Sequence, residues 1–359
     1  MGHQSSRLKF AVVGHQDNWQ KISGFVNSIR FSKGNGDLSL EKIRDIYDYF
    51  PPSKLFDVQI NSKISGIIEG FYIESFMSPD HLGQAHIWNN LMKTKIACEK
   101  AASMGADVVS LGGFTSIVLE SGNENFTQIN GTKFTTGNTL TAAFISDSIQ
   151  KASKKWNRPL SDSNLLVIGS TGDIGSACVS FFSNKVKKIM LNARQPRPLK
   201  IQEMELQSRK VNCEANTNLL ELLPEADLII CVASSILPED YLKHLKSNVI
   251  VCDAGYPKNL TTDNLKSGQI FYAGGMGLVE NGYRFFPEHF QKNIYDFPLP
   301  NISHGCTMES VVLALEGQSL SFSQGRGNIQ IEKREYILQA ASKHGIVTAP
   351  FFNSSGPLN

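Results

Sequence analysis

The chain has 359 residues, 41% of them apolar, which is enough to build two sizeable cores. Lysine plus arginine exceed aspartate plus glutamate by only two, so nothing global argues for a nucleic-acid or membrane-surface partner. The six cysteines form no CxxC pair and imply no zinc site. Several of them lie in apolar runs, the pattern of reduced thiols in a cytoplasmic protein.

Residues 1–9 lack the apolar core of a signal peptide and read as a leader ahead of the fold. No apolar stretch approaches the length of a membrane span. Phe10-Ala-Val-Val-Gly14-His15 predicts a strand ending in a glycine turn, and Asp17 is placed to cap a helix running to Arg30. Leu40, Ile43, Ile46, Tyr47 and Phe50 mark one face of a second helix stopped by Pro51-Pro52. Strands are expected over Leu55–Ile60 and Ile64–Phe71. Ser78-Pro79 then opens a long helix with Leu82, Trp88, Leu91, Met92 and Ile96 as its apolar face and Gly105 at its end.

Asp107–Leu111 reads as a short buried strand that runs into Gly112-Gly113-Phe114-Thr115-Ser116. Phe134-Thr135-Thr136-Gly137-Asn138-Thr139 repeats that grammar before a helix from Leu140 to Lys155. Open α/β sheets bind ligands where strands end in such loops, so the two are expected to face each other across a cleft. Turns that only satisfy their own backbone groups are the alternative.

From Asn164 the chain alternates strands and helices in the rhythm of a parallel sheet. The strands are Asn164–Ile168, Lys188–Asn192, Asp227–Val232 and Asn248–Asp253, with a fifth in the run Phe271–Gly275. The first turn, Gly169-Ser170-Thr171-Gly172-Asp173-Ile174-Gly175, predicts a phosphate cradle at a helix N-terminus, where unpaired N–H groups favour an anion. Ser170 stands where the dinucleotide pattern has its first glycine. The second strand ends in Asn192 and Arg194, with Arg197 close behind. A guanidinium there suits a 2'-phosphate, so the expected cofactor is NADPH, with Ala233 and Ser234 lying beside it at the end of the third strand. A flavodoxin-like unit with a structural glycine turn is the other reading.

Ser303-His304-Gly305-Cys306-Thr307-Met308-Glu309 precedes an apolar helix over Ser310–Glu316, and a last helix spans Gln330–His344. A thiol at a helix start has its thiolate favoured by the dipole, and an imidazolium at His304 adds to that. Cys306 is therefore the candidate nucleophile, with backbone N–H groups of Thr307 and Met308 as candidate oxyanion donors. The bland alternative is a buried cysteine that only fills space.

The predicted architecture is α/β. An N-terminal α/β substrate domain (10–156) precedes a Rossmann-type NADPH domain with a parallel sheet (157–302), and a C-terminal helical segment (303–359) returns to the cleft between them.

Six segments together resemble the cyanobacterial long-chain acyl-[acyl-carrier-protein] reductases: Leu111–Ile117, Phe134–Thr139, Gly169–Ser176, Ala193-Arg194, Gly255–Asn259 and Ile329–Lys333. Their order and spacing agree from about Phe10 to Val347. The resemblance implies NADPH-dependent reduction of a long-chain acyl thioester on acyl carrier protein (or on coenzyme A) to a free fatty aldehyde, the first step of alkane synthesis. It implies an aldehyde-deformylating oxygenase as the next enzyme and magnesium dependence, for which the sequence offers no ligand set. In the family a cysteine of this C-terminal stretch carries the acyl group, and Cys306 takes that position, although His304 and Gly305 depart from the family's apolar flanks. Trp88, Leu91 and Phe114 are then the expected lining for the acyl chain. Shikimate-type NADP dehydrogenases share the Gly-Asn-Thr loop and the Asn-x-Arg strand end, and a non-enzymatic NADP-binding protein is the third possibility.

Overall fold

A computed structural model describes residues 7–82, 84–116, 128–233, 238–255, 265–325 and 327–358. The chain divides into two compact units. The first takes Met1–Gly137, Leu278–Gly325 and Gln339–Val347; the second takes Asn138–Gly277, Arg326–Leu338 and Thr348–Asn359.

The first unit is built on a seven-stranded sheet. Its order is Tyr283–Phe286, Ser53–Ser62, Gly66–Glu74, Phe10–Gly14, Val108–Leu111, Thr132–Thr135 and Gln128–Ile129. The four strands from Gly66–Glu74 to Thr132–Thr135 run parallel, and the outer pairings are antiparallel. From Phe10–Gly14 the sheet grows first to one side and then to the other, so the carboxyl ends of the Phe10 and Val108 strands flank its switch point. That is where open α/β sheets place ligands. Ala11, Val13, Phe71, Ile73, Val109, Leu111 and Phe134 pack against Ala97, Cys98 and Ala101 of the long helix Ile87–Ser103.

That long helix turns a different face to the sheet than its hydrophobicity suggests. Its buried residues are Asn90, Lys93, Thr94, Ala97, Cys98 and Ala101, while Trp88, Met92 and Ile96 are 77%, 54% and 43% exposed. Local polar partners make this possible. Asn90 donates to the His81 carbonyl at 2.9 Å, Lys93 to the Phe76 carbonyl at 2.5 Å, and Thr94 to the Asn90 carbonyl at 2.8 Å. Ser78-Pro79 caps only the short helical turn Pro79–His81, and the long helix begins at Ile87. Asn18, rather than Asp17, caps the first helix, Trp19–Ser32.

The second unit holds a six-stranded, wholly parallel sheet. Its order is Ile270–Ala273, Ile250–Asp253, Leu228–Cys231, Asn164–Ile168, Lys188–Asn192 and Cys213–Ala215. From Asn164–Ile168, three strands run outward to one side and two to the other, the doubly wound order of dinucleotide-binding folds. All five predicted strands are present. A three-stranded sheet (Ile302–His304, Met276–Val279, Ile346–Thr348) and a two-stranded one (Phe352–Asn353, Gly356–Pro357) complete the structure.

The observed division departs from the expected one at 156/157. The helix Asn138–Lys155 belongs to the second unit, because Ile145, Ile149 and Ala152 are buried with Leu165, Cys178 and Phe182 in that sheet's core. Nor is 303–359 a unit of its own. The helix Gly305–Leu315 lies on the first sheet, tied to it by Ser310: its N–H donates to Ser110 Oγ at 2.9 Å and its hydroxyl to the Ala11 carbonyl at 3.2 Å. The helix Ile331–Lys343 is divided between the two units at Leu338/Gln339, and Phe351 near the end of the chain packs on Trp156 and Tyr272 of the second.

Candidate active site

In the first unit, Cys306 is the second residue of the helix Gly305–Leu315, which starts five residues before the expected Ser310. The helix is buried along nearly its whole length, with Val311, Val312 and Leu313 inaccessible, so its first turn is fixed by packing rather than by a side-chain cap. Cys306 itself is partly buried. Both glycine loops converge on it. The backbone N–H groups of Gly113, from the loop after Val108–Leu111, and of Thr307 lie near enough to the thiol to favour its charged form. From the other side Gly137 presses against its backbone. A Cβ on Gly137 would lie 2.2 Å from the Cys306 carbonyl oxygen, and its φ of +73° is one that glycine adopts without strain.

Below the thiol sits a buried carboxylate that the sequence did not single out. Glu309 Oε1 accepts from Thr135 Oγ1 at 2.5 Å and from Ser323 Oγ at 2.6 Å, while the Thr136 N–H donates to the Ser323 carbonyl at 3.0 Å. Glu309 follows Cys306 by three residues on one helix, which places both on the same face. Nothing in the local pattern marks Glu309, because its partners come from positions 174 residues earlier and 14 later.

The electrostatics correct one expectation. Burial pushes the Cys306 thiol above its ordinary value; the N–H groups of Gly113 and Thr307 pull it back, and Glu309 pushes it up again. At rest the group is a thiol, not the thiolate that a helix terminus alone would favour. His304 packs its ring edge-on against Phe297, with centroids 5.5 Å apart. Of the other cysteines, Cys98, Cys178, Cys231 and Cys252 are buried and Cys213 is partly so.

Replacing Gly137 by alanine is expected to move the Cys306 turn. The added methyl meets backbone rather than a flexible side chain, and the left-handed φ adds its own strain, so a loss of at least about 2 kcal/mol follows. Thermal unfolding together with the rate of Cys306 alkylation checks this. An unchanged melting temperature and alkylation rate would show that the loop yields freely.

In the second unit the glycine turn has the form its sequence predicts. The N–H groups of Gly169 and Ser170 donate to the Asn192 carbonyl at 2.9 and 3.0 Å, closing the turn onto the neighbouring strand. Gly172 is the N-cap of the helix Asp173–Phe182, and a Cβ on Gly175 would lie 2.1 Å from the Gly169 carbonyl oxygen. The turn and helix can be this close only without a side chain at Gly175. Ile174 packs on the sheet's core. The Ser170 hydroxyl is buried with no hydrogen-bond partner among the described residues.

Three candidate residues are engaged with the protein itself. The Asp173 carboxylate accepts from Asn138 Nδ2 at 2.8 Å and from the Gly327 N–H at 2.9 Å, so it anchors a helix and a loop beside the turn. Asn192 donates through Nδ2 to the carbonyls of Asn216 and Thr217. Ala233 meets the turn from the third strand, its N–H 3.0 Å from where a Gly169 Cβ would stand. Ser234 lies outside the described residues, as do Tyr256, Pro257 and Lys258.

Arg194 is exposed at the strand end. Beside the turn a cavity of about 460 Å³ is lined by Thr171, Ser176, Arg197, Pro198, Ile201, Gln202 and Glu205. The helix start at Asp173 behind a glycine turn, a hydroxyl, and guanidiniums at Arg197 and at the strand end fit a phosphorylated nucleotide. Among the described residues no group of three or more His, Cys, Asp or Glu could hold a metal ion. No helix among them is long and apolar enough to cross a membrane.

No protein-family model matches the chain. Among solved structures it is similar to L-tryptophan dehydrogenase from Nostoc punctiforme (10% identity, TM-score 0.41, 94% of this chain and 80% of that one). It is also similar to quinate dehydrogenase from Corynebacterium glutamicum in complex with NAD (10% identity, TM-score 0.37, 93% and 99%). Among curated proteins it is 32% identical over 347 residues to the long-chain acyl-[acyl-carrier-protein] reductase of Synechococcus elongatus, covering 94% of this chain and 97% of that protein. With that identity over nearly the full length of both, the chain belongs to the long-chain acyl-[acyl-carrier-protein] reductase family.

Proposed function

We propose that the protein reduces a long-chain acyl thioester carried by acyl carrier protein to a free fatty aldehyde, with NADPH as reductant and Cys306 as the acyl acceptor. The observation that carries this reading is the position of Cys306: a partly buried thiol in the first turn of a helix, with the loops at Gly112 and Gly137 packed against that turn. The name of the Synechococcus relative supports the substrate and the reaction.

In this mechanism the Cys306 sulfur attacks the carbonyl carbon of the acyl thioester. The bond from that carbon to the carrier's sulfur breaks, and the carrier leaves as its thiol with the proton that Cys306 gave up. NADPH, when bound, supplies a hydride to the carbonyl carbon of the new thioester. The Gly113 and Thr307 N–H groups stabilise first the thiolate and then the negative charge that develops beside it. As the hemithioacetal collapses, the carbon–sulfur bond breaks, the aldehyde leaves, and the sulfur returns as thiolate to be protonated. The sum consumes acyl thioester, NADPH and one proton, and yields aldehyde, carrier thiol and NADP. An aldehyde-consuming oxygenase fits as the following enzyme.

The glycine turn and the N-terminus of the helix Asp173–Phe182 would hold the pyrophosphate, and Arg194 with Arg197 the 2'-phosphate. Arg194→Ala is therefore expected to weaken NADPH by roughly 10 to 150-fold, the worth of a charge-assisted pair of ~1.5 to 3 kcal/mol, while barely changing NADH. Titration of both cofactors by fluorescence decides it, and equal losses for the two would remove Arg194 from the site. The function as a whole is tested by incubating the protein with a C16 or C18 acyl-[acyl-carrier-protein] and NADPH and assaying the aldehyde. Absence of aldehyde together with NADP-linked oxidation of shikimate or quinate would overturn it.

A further inference from the structure

We propose that His15 is the positioning residue of the thiol site: its imidazole holds the peptide after Gly113, and with it the glycine loop that lies against the Cys306 turn. The inference rests on the reading of Cys306 as the nucleophile and adds a residue just past the strand Phe10–Gly14.

His15 directly follows the strand Phe10–Gly14, at the carboxyl edge of the sheet beside the switch point, and is 5% exposed. Its Nε2 lies 2.8 Å from the Phe114 N–H, which can only donate. Nε2 must therefore be unprotonated, and the ring proton sits on Nδ1, 3.0 Å from the Gln16 carbonyl that accepts it. Burial pushes the pKa of His15 down, against the pull of the Gln16 carbonyl and of Asp17, the nearby acid, so the neutral acceptor form persists. The ring also meets Phe114 edge-on, with centroids 6.3 Å apart.

The Phe114 N–H is thus held by His15, while the same glycine loop lies against the first turn of the Cys306 helix: a Cβ on Gly112 would stand 3.7 Å from Thr307 Cγ2, and the Gly113 N–H favours the Cys306 thiolate. The Gly112-Gly113 pair has little conformational preference of its own, and Gly113 sits at a φ of +62°. An outside anchor is needed to hold the loop in place, and His15 is fixed well enough to serve. Gln16 Nε2 donates to Glu74 Oε2 at 3.0 Å and to Tyr72 Oη at 3.2 Å, which ties the His15–Gln16 backbone to the adjacent strand.

The test compares His15→Asn with His15→Gln. Both are polar and small enough to keep the fold. Asparagine is too short to reach the Phe114 N–H, whereas the glutamine carbonyl oxygen reaches about as far as Nε2. Alkylation of Cys306 by iodoacetamide, located by peptide mass spectrometry, is followed from pH 6 to pH 10. In His15→Asn the glycine loop loses its anchor, and the Gly113 N–H no longer holds its place beside the thiolate. The midpoint of alkylation is then expected to move to higher pH, with a roughly tenfold slower rate at pH 8, the worth of one hydrogen bond to a charged group. His15→Gln is expected to restore the midpoint. Wild-type midpoints in both variants, or equal displacement in both, would overturn the role of His15. Because alkylation needs neither acyl substrate nor NADPH, failure of the acyl-enzyme mechanism would show separately, as aldehyde made by an enzyme without Cys306.

Discussion

Cys306→Ser is expected to lower aldehyde formation by on the order of a thousandfold or more while NADPH binding stays intact. Serine matches cysteine closely in size, so the first turn of Gly305–Leu315 should keep its packing. Its hydroxyl, however, is a far weaker nucleophile without an adjacent general base, and the acid beneath it, Glu309, is already engaged by Thr135 and Ser323. Wild-type protein mixed with a long-chain acyl thioester in the absence of NADPH should gain the mass of one acyl group, labile to hydroxylamine and mapping to the peptide that contains Cys306. Adding NADPH should discharge it as aldehyde. An adduct on another residue, or a Cys306→Ser enzyme with normal turnover, would mean that hydride attacks the bound substrate thioester directly.

The attack also requires that the thiol lose its proton at a site where burial opposes the charge. The first step should therefore speed up as pH rises toward the Cys306 pKa, and acylation, not hydride transfer, should carry that pH dependence. A thiol held protonated until the substrate arrives is also less exposed to oxidation than a standing thiolate.

Legibility differs between the two units for a physical reason. The second unit is a series of strand–turn–helix repeats whose signals are local, and the sequence places all of its predicted strands and the Gly169–Gly175 turn. Its boundary was not legible, because Asn138–Lys155 carries a buried face whichever sheet receives it; only the neighbours Leu165 and Phe182 decide. In the first unit the two glycine loops and Cys306 stand out as residues, but their convergence depends on strands meeting in an order that no local pattern encodes. Glu309 and His15 are the clearest cases. Each acts through partners about a hundred or more positions away: Thr135 for the one, Phe114 for the other. Trp88 misled for the opposite reason: the helix buries Asn90, Lys93 and Thr94 through local hydrogen bonds and leaves its apolar stripe in water.

Glu74→Gln is expected to stabilise the protein by about 3 kcal/mol at pH 8 and by almost nothing near pH 4.5. Glu74 ends the strand beside Phe10–Gly14 and is fully buried. Burial raises its carboxyl from an ordinary 4.5 to about 7, despite hydrogen bonds from Gln16, the Phe76 N–H and Tyr72. Lys93, whose charge Glu74 favours, is paired with Asp48 at 3.3 Å. An acid with its pKa raised in the folded state binds its proton more tightly folded than unfolded. Its presence is therefore harmless below about pH 4.5, and stability falls as pH rises to about 7, beyond which the cost is constant. At about 1.4 kcal/mol per pH unit, that window corresponds to the stated 3 kcal/mol. Glutamine keeps the shape and the acceptor oxygen, and Gln16 can turn its amide over to accept from the new N–H₂ group. Denaturant unfolding of both proteins at pH 5 and pH 8 isolates Glu74, since every other group titrates alike in the pair. A stability difference that does not widen between those two pH values would show that the carboxylate is already charged at no cost.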